Sequence, residues 1–369
     1  MTEWIDRNEP LQRLLENPPA SLHLDTEFMR TDTLLPQLAL LQLAIDGRVG
    51  LIDPLTDIDL APLGRLLADS AHCCVMHSAG EDLEALAAIL PDGPARLFDT
   101  QIAAAFAGLG PGLGYQKLVQ QLAGIELAKG ETRSNWLRRP LTPNQIEYAA
   151  QDVIYLPDLH DRLCALLAQR GYSDWLAEDC ARMVRRAAQR APDPEPQVAF
   201  SSAANWPRDR QALLRRLLRW REATARTLNR PRPWVLDDAR ALALTANPPA
   251  DANALFECVK GLRAMRGQQR AELLDRLHAP LAPDELEFMP IPRSPGASDK
   301  KVLAALREIV DAHAMELDLP PGLLCARRHI ETLLVTGCWP AALEGWRREV
   351  LHEGLMTRLA DFMPHGSDA

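Results

Sequence analysis

The chain has 369 residues, more than one ordinary domain needs, and 47% of them are apolar, a usual globular share. No apolar run is long enough to span a bilayer, and Met1-Thr-Glu-Trp-Ile-Asp6 lacks the basic start and apolar stretch of a secretory signal. A formal charge of −9 argues, on its face, against a polyanionic partner.

Residues 1 to about 170 read as α/β. Leu22–Asp25, Leu38–Ile45, Val49–Ile52 and Cys74–His77 are strand-like. Asp46-Gly47 between the second and third predicts a tight hairpin, so the sheet begins antiparallel. Helical periodicity follows at Ile58–Ala68, Glu81–Leu90, Thr100–Phe106, Tyr115–Leu122 and Pro143–Leu167. The mixture predicts a mixed sheet covered by helices. Ala191-Pro-Asp-Pro-Glu-Pro196 reads as an extended linker, and strand signals vanish after it. Residues 207–279 and 298–360 read as helical, separated by a second Pro-rich linker near 290–295. The runs Leu214–Pro231 and Leu303–Pro320 each place an amphipathic helix before a Pro-containing turn, as a diverged repeat would. The seven cysteines form no Cys-x-x-Cys pair, so reduced thiols in a cytosolic protein are expected.

Asp25 and Glu27 lie two apart on the first strand, so both carboxylates point to one face. Alone, they are a solvated strand end or half of a cation site. Two segments could complete such a site. In His77-Ser-Ala-Gly-Glu-Asp-Leu-Glu84 a strand ends, Gly80 permits a sharp turn, and Asp82 falls in the first turn of a helix. There it could equally just complement the helix dipole. In Tyr148-Ala-Ala-Gln-Asp152 the Tyr and Asp share a helix face at i and i+4. That helix has Thr142 as N-cap and Pro143 at its first position. An Asp flanked by Ala149, Val153 and Leu156 needs a metal or a basic partner. No His/Cys cluster offers a competing zinc site.

Between Arg208 and Arg232 there are nine arginines against two acids, Asp209 and Glu222. Local charge, not the total, sets a phosphate-binding footprint. The plain alternative is a helix that solvates its outer face with Arg.

The order Asp-x-Glu on a strand, Asp after a strand–turn–helix, then Tyr-x-x-x-Asp resembles the Tyr-containing branch of the DEDD 3′→5′ exonucleases. Asp25–Leu38, His77–Glu84, Arg133–Thr142 and Glu147–Asp152 are similar to the motifs of the ribonuclease D family. The helical blocks resemble the HRDC module, the second more weakly. Ser78, Gln151 and Asn135 depart from the usual residues without removing a ligand.

The resemblance implies a ribonuclease H-like α/β exonuclease domain over 1–190 and a linker over 191–206. An all-α HRDC bundle over 207–285, a linker over 286–297 and a second HRDC-like bundle over 298–369 would follow. It implies two divalent metals, Mg²⁺ or Mn²⁺. Asp25 would bridge both, Glu27 and Asp152 would complete the water-activating site, and Asp82 would hold the second. Tyr148 would orient the attacking water. Phe28 and Met29 would wedge against terminal bases, with His77 close by, and Arg215 and Arg219 would help hold RNA. The implied activity is trimming of RNA 3′ ends, chiefly tRNA precursors, by a cytoplasmic monomer. A DNA exonuclease of the same superfamily and a catalytically silent nucleic-acid scaffold are the competing readings.

Overall fold

The structure is a computed structural model and describes residues 2–127, 130, 134–189 and 191–362. Arg133, Arg190 and residues 363–369, which fall within the motif and domain ranges expected above, lie outside the described residues.

Six strands form one sheet: β1 (Thr2–Ile5), β2 (Ser21–Met29), β3 (Gln37–Ile45), β4 (Arg48–Ile52), β5 (Cys73–Met76) and β6 (Leu97–Asp99). Their spatial order is β1-β4-β3-β2-β5-β6. The β2–β3–β4 centre is antiparallel, while β1, β5 and β6 add in parallel. Asp46 and Gly47 both take positive φ, 48° and 74°, which closes the β3–β4 hairpin as the sequence predicts.

The helices of the α/β part are α1 (Asn8–Leu14), α2 (Ala61–Leu67), α3 (Gly80–Ala85), α4 (Thr100–Phe106), α5 (Tyr115–Ala123), α6 (Pro143–Ile154), α7 (Leu156–Arg170) and α8 (Ser173–Ala188). The single helix expected over 143–167 is two, broken at Tyr155, because Pro157 begins a new first turn. After the linker come α9 (Arg208–Leu228), α10 (Arg232–Val235), α11 (Asp238–Ala246), α12 (Ala252–Val259) and α13 (Gly267–His278). A second helical unit holds α14 (Lys300–Glu316), α15 (Pro321–Leu324), α16 (Arg327–Thr336) and α17 (Trp346–Ala360).

The two helical units repeat one turn. After α9, Asn229 is left-handed and Arg230 N–H reaches back to Ala225 O at 3.0 Å. After α14, Asp318 is left-handed and Leu319 N–H reaches Ala314 O at 2.9 Å. Each turn then enters a short Pro-started helix.

The units attach to the sheet differently. The second shares one continuous apolar core with the α/β part. Trp346 stacks on Trp175 with ring centroids 4.4 Å apart, and Arg347 makes two bonds, of 2.5 and 2.7 Å, to the nearly buried Asp179 carboxylate. The first unit has its own core, which Leu34 enters from the β2–β3 loop. Asn229 Oδ1 accepts the Leu34 and Leu35 N–H groups at 3.1 and 3.2 Å, and Arg230 bonds Asp32. Among the described residues no helix is long and apolar enough to cross a membrane, and all seven cysteines are free.

Removing one partner of a desolvated ion pair leaves the other charge stranded, at a cost of about 3 kcal/mol. Asp179→Ala is therefore expected to lower unfolding free energy by roughly that amount, read by urea denaturation. A loss below ~1 kcal/mol would show that Arg347 finds solvent instead.

Candidate active site

β2 carries Asp25 and Glu27 opposite Gln42 and Leu40 of β3, and a register shift follows between Glu27 and Phe28. The break in pairing lets the strand bend where its acids end. α6 packs across β2, β3 and β4, so Tyr148 and Asp152 are laid over the same region. Ala149 and Val153 hold that helix down on Leu40, Ala44 and Leu51.

Asp82 arrives from the other side, on α3 beside β2. The sequence suggests Gly80 as the sharp turn before it, but the left-handed residue is Ser78, at φ 59°. Asp99, fully buried, makes that turn possible. Its carboxylate accepts Ser78 N–H and Ala79 N–H at 3.3 and 2.8 Å while also capping α4 through Gln101 and Ile102. Sequence reading missed Asp99, because its partners lie 20 residues upstream.

A second clamp sets the loop before α6. Arg139 grips Asp53 with two bonds of 2.6 and 2.7 Å and donates to Trp136 O and Ala39 O. The planar guanidinium thereby ties loop, hairpin and sheet together. Thr142 and Gln145 then form a capping box, and Pro143 starts the helix.

The acids titrate abnormally for one shared reason. Burial pushes Asp25 well above the usual carboxylate range, and Asp82, Asp152 and Glu27 add like-charge repulsion. Burial, then Asp152 and Asp82, lifts Glu27 to about 9. Burial raises Asp152 to about 7 and Asp82 to about 6, each opposed by a hydroxyl: Tyr148 donates to Asp152, and Thr26 Oγ1 to Asp82 at 2.5 Å. Burial and the Asp152 charge also push the Tyr148 phenol up. The structure thus brings all four acids and Tyr148 into one electrostatically coupled group. Among the described residues no three His, Cys, Asp or Glu side chains close into a ready-made cage, and Asp82 and Asp152 each accept a hydroxyl bond. A donor set made wholly of carboxylates, mutually repelling and short of solvent, fits a hard divalent cation.

The remaining expected site residues divide. Phe28 is half-buried and belongs to no apolar cluster, whereas Met29 packs against the cluster under α6. His77 is held neutral by burial, bonds Thr100 Oγ1 at 2.9 Å and lies 5.6 Å from the Tyr115 ring. Arg215 is bound to Glu195 and Pro194 O in the linker. Arg219 is exposed on α9. Neither sits with the acids.

Three neighbours were missing from the sequence reading. Tyr115 donates to Gln151 O at 3.0 Å and feels the Asp152 charge. Gln42 is fully buried beside Asp25, and neither its amide N nor its O has a partner among the described residues. Such an amide costs about 1–3 kcal/mol, and its signal is visible as the one polar residue within Leu38–Ile45. Gly130 lies against the Tyr148 ring: a Cβ there would stand 1.7 Å from Cε2, so any side chain would displace the phenol.

Residues 2–168 match a family model described as 3′-5′ exonuclease, which gives the class of the α/β part. Ribonuclease D of Xanthomonas oryzae pv. oryzae is 44% identical over 97% of this chain and 99% of its own length. Ribonuclease D of Pseudomonas paraeruginosa is 36% identical over 92% of each. The crystal structure of Escherichia coli RNase D, titled as an exoribonuclease involved in structured RNA processing, superposes with a TM-score of 0.84 at 28% identity, covering 98% and 99% of the two chains. This chain belongs to the ribonuclease D family, and as an exonuclease of the DEDD type it depends on divalent metal.

Each acid here has a folded-state pKa above its unfolded value, so it contributes stability in its protonated form. That contribution is complete below about pH 4, the unfolded carboxyl range. It is lost as pH rises through about 6 for Asp82, 7 for Asp152 and 9 for Glu27. In chelator, Glu27→Gln is expected to raise Tm at pH 8 by about 3 °C or more and to leave it nearly unchanged at pH 4. Equal Tm values for wild type and variant at pH 8 would contradict the crowding of charge.

Proposed function

We propose that this chain is a 3′→5′ exoribonuclease that removes terminal nucleotides as 5′-monophosphates, chiefly from tRNA precursors and other stable RNAs, with two divalent cations, Mg²⁺ or Mn²⁺, at Asp25, Glu27, Asp82 and Asp152. The observation that carries this reading is the coupled burial of those four acids, in a chain similar over its whole length to ribonuclease D relatives. Asp25, Glu27, Asp82 and Asp152 would hold these cations, which would supply charge stabilisation for an in-line displacement and a more acidic attacking water.

The chain's own residues do the rest. Tyr148 carries its proton at neutral pH, because burial and Asp152 raise its pKa. It is therefore an orienting group for the water rather than its base. Its bond to Asp152, the Trp136 ring 6.0 Å away and the Gly130 backbone hold it in place. Phe28, clear of the apolar clusters, offers a face on which a terminal base can stack whatever its identity. The two helical units are read as HRDC modules over 207–285 and 298–369, flanking the exonuclease domain of 1–190. The similarity over both units favours RNA over the DNA alternative. The intact acid set argues against a silent scaffold. A cytoplasmic monomer is the working arrangement.

Asp25→Asn is expected to slow release of 5′-mononucleotides from a 3′-extended tRNA on the order of 10³-fold or more. Tyr148→Phe should lower kcat about 10²-fold and leave RNA affinity intact. Matched single-stranded RNA and DNA 3′ ends, digested in parallel with Mg²⁺, give the decisive contrast. Equal or faster digestion of DNA would overturn the RNA assignment. An undiminished rate in Asp25→Asn would overturn the site.

A further inference from the structure

Four arginines of helix α9 are held in internal ion pairs, while Arg219 is exposed. Arg215 pairs with Glu195, Arg216 with Glu285, Arg221 with Asp238 and Arg226 with Glu222, at 2.5–3.1 Å. Arginines held this way stitch the first helical unit together and have little charge left for a ligand.

The loop from Lys260 to Arg266, between α12 and α13, is built differently. Leu262, Ala264 and Met265 turn inward to the unit's core, and Ala264 N–H bonds Trp234 O at 2.9 Å. The loop is thereby pinned, and Lys260, Arg263 and Arg266 point out, all exposed. From Phe256 to Arg270 there are four basic residues (Lys260, Arg263, Arg266, Arg270) against one acid, Glu257. Among the described residues Arg263 and Arg266 make no ion pair, whereas Lys260 pairs with Glu257 at 3.4 Å. Two aromatic rings are interleaved with these cations. Arg263 lies 4.6 Å over Trp234, and Arg270 and Lys260 lie 5.3 and 6.0 Å from Phe256, which is 43% exposed. Arg230 reaches the opposite end of this surface, 5.9 Å from Trp234, and bonds Asp32 in the β2–β3 loop. That loop begins directly after Phe28 and Met29.

We propose that this face, and not helix α9, is where the first helical unit grips the RNA substrate. Phosphates would meet Arg263 and Arg266, and an unpaired base would stack on Phe256. The face would deliver the strand along Arg230 and Asp32 toward the wall of the active site. The proposal rests on the RNA reading of that site. Charge complementarity and interleaved rings select a polynucleotide over an anionic bilayer, which would use the cations but not the stacking.

The test uses the full chain in chelator, so that nothing is cleaved. The probes are a 3′-extended tRNA and a single-stranded RNA of five nucleotides. The double variant R263E/R266E should bind the tRNA about tenfold or more weakly near 100 mM salt, with the log–log salt slope reduced by about two. Its affinity for the pentanucleotide should change far less. The neutral R263Q/R266Q should show a smaller loss in the same direction, and it serves if the reversed charges impair folding. R219E, on the exposed side of α9, should lose clearly less affinity than R263E/R266E. Normal tRNA binding by R263Q/R266Q, an equal loss in R219E, or weakened binding only to phosphatidylserine-containing vesicles would overturn the proposal. Wild-type protein that leaves RNA 3′ ends intact with Mg²⁺ would overturn the RNA reading itself. Wild-type protein that digests them while both double variants bind tRNA normally would overturn this proposal alone.

Discussion

Burial of four carboxylates in one group, with repulsion added, is the constraint to which the rest of the molecule answers. Asp25 is raised by burial and by Asp82, Asp152 and Glu27 together, so a change at any of those three is felt at Asp25. A chain tolerates such crowding only where the backbone leaves no escape. Here Asp99 locks the turn before Asp82, and the Arg139–Asp53 clamp fixes the loop before α6. The capping box of Thr142 and Gln145 then sets the start of the helix that brings Tyr148 and Asp152 over β2. Each clamp is a charged side chain satisfying backbone groups, a rigid and fully paired device. The cost of the site is carried by those clamps and by the apolar layer under α6.

How the helical units attach follows from the same division between rigid and adjustable parts. The second is continuous with the sheet's own core through Phe106, Trp175 and Trp346. It extends the scaffold. The first touches the α/β part through Leu34, Asn229 and Arg230, at the loop that follows the strand carrying Asp25 and Glu27. The first unit is thus held at the loop after the acid-bearing strand, while the second is built into the core of the sheet.

Much of this was legible in the sequence, where the signals are local. Alternation placed Asp25 and Glu27 together, Asp46-Gly47 marked the hairpin, and Thr142-Pro143 marked the start of α6. What escaped depends on partners distant in the chain. β1 and β6 have only four and three residues and become strands by pairing with β4 and β5. The arginines of α9 read as a polyanion footprint, because Glu195, Asp238 and Glu285 lie outside the run that carries them. Gln42 was visible as a polar residue in an apolar strand, but only the register sets it beside Asp25.

At neutral pH Glu27, and in part Asp152, hold protons that a divalent cation must displace. Calorimetric titration of the chain with Mn²⁺ at pH 7, repeated in two buffers of different ionisation enthalpy, counts those protons directly. Release of about one proton or more per chain at pH 7, falling as the pH rises through 9, is the expected result. Cation binding with no proton release at pH 7 would show that the acids are already ionised and that the crowding does not govern the site.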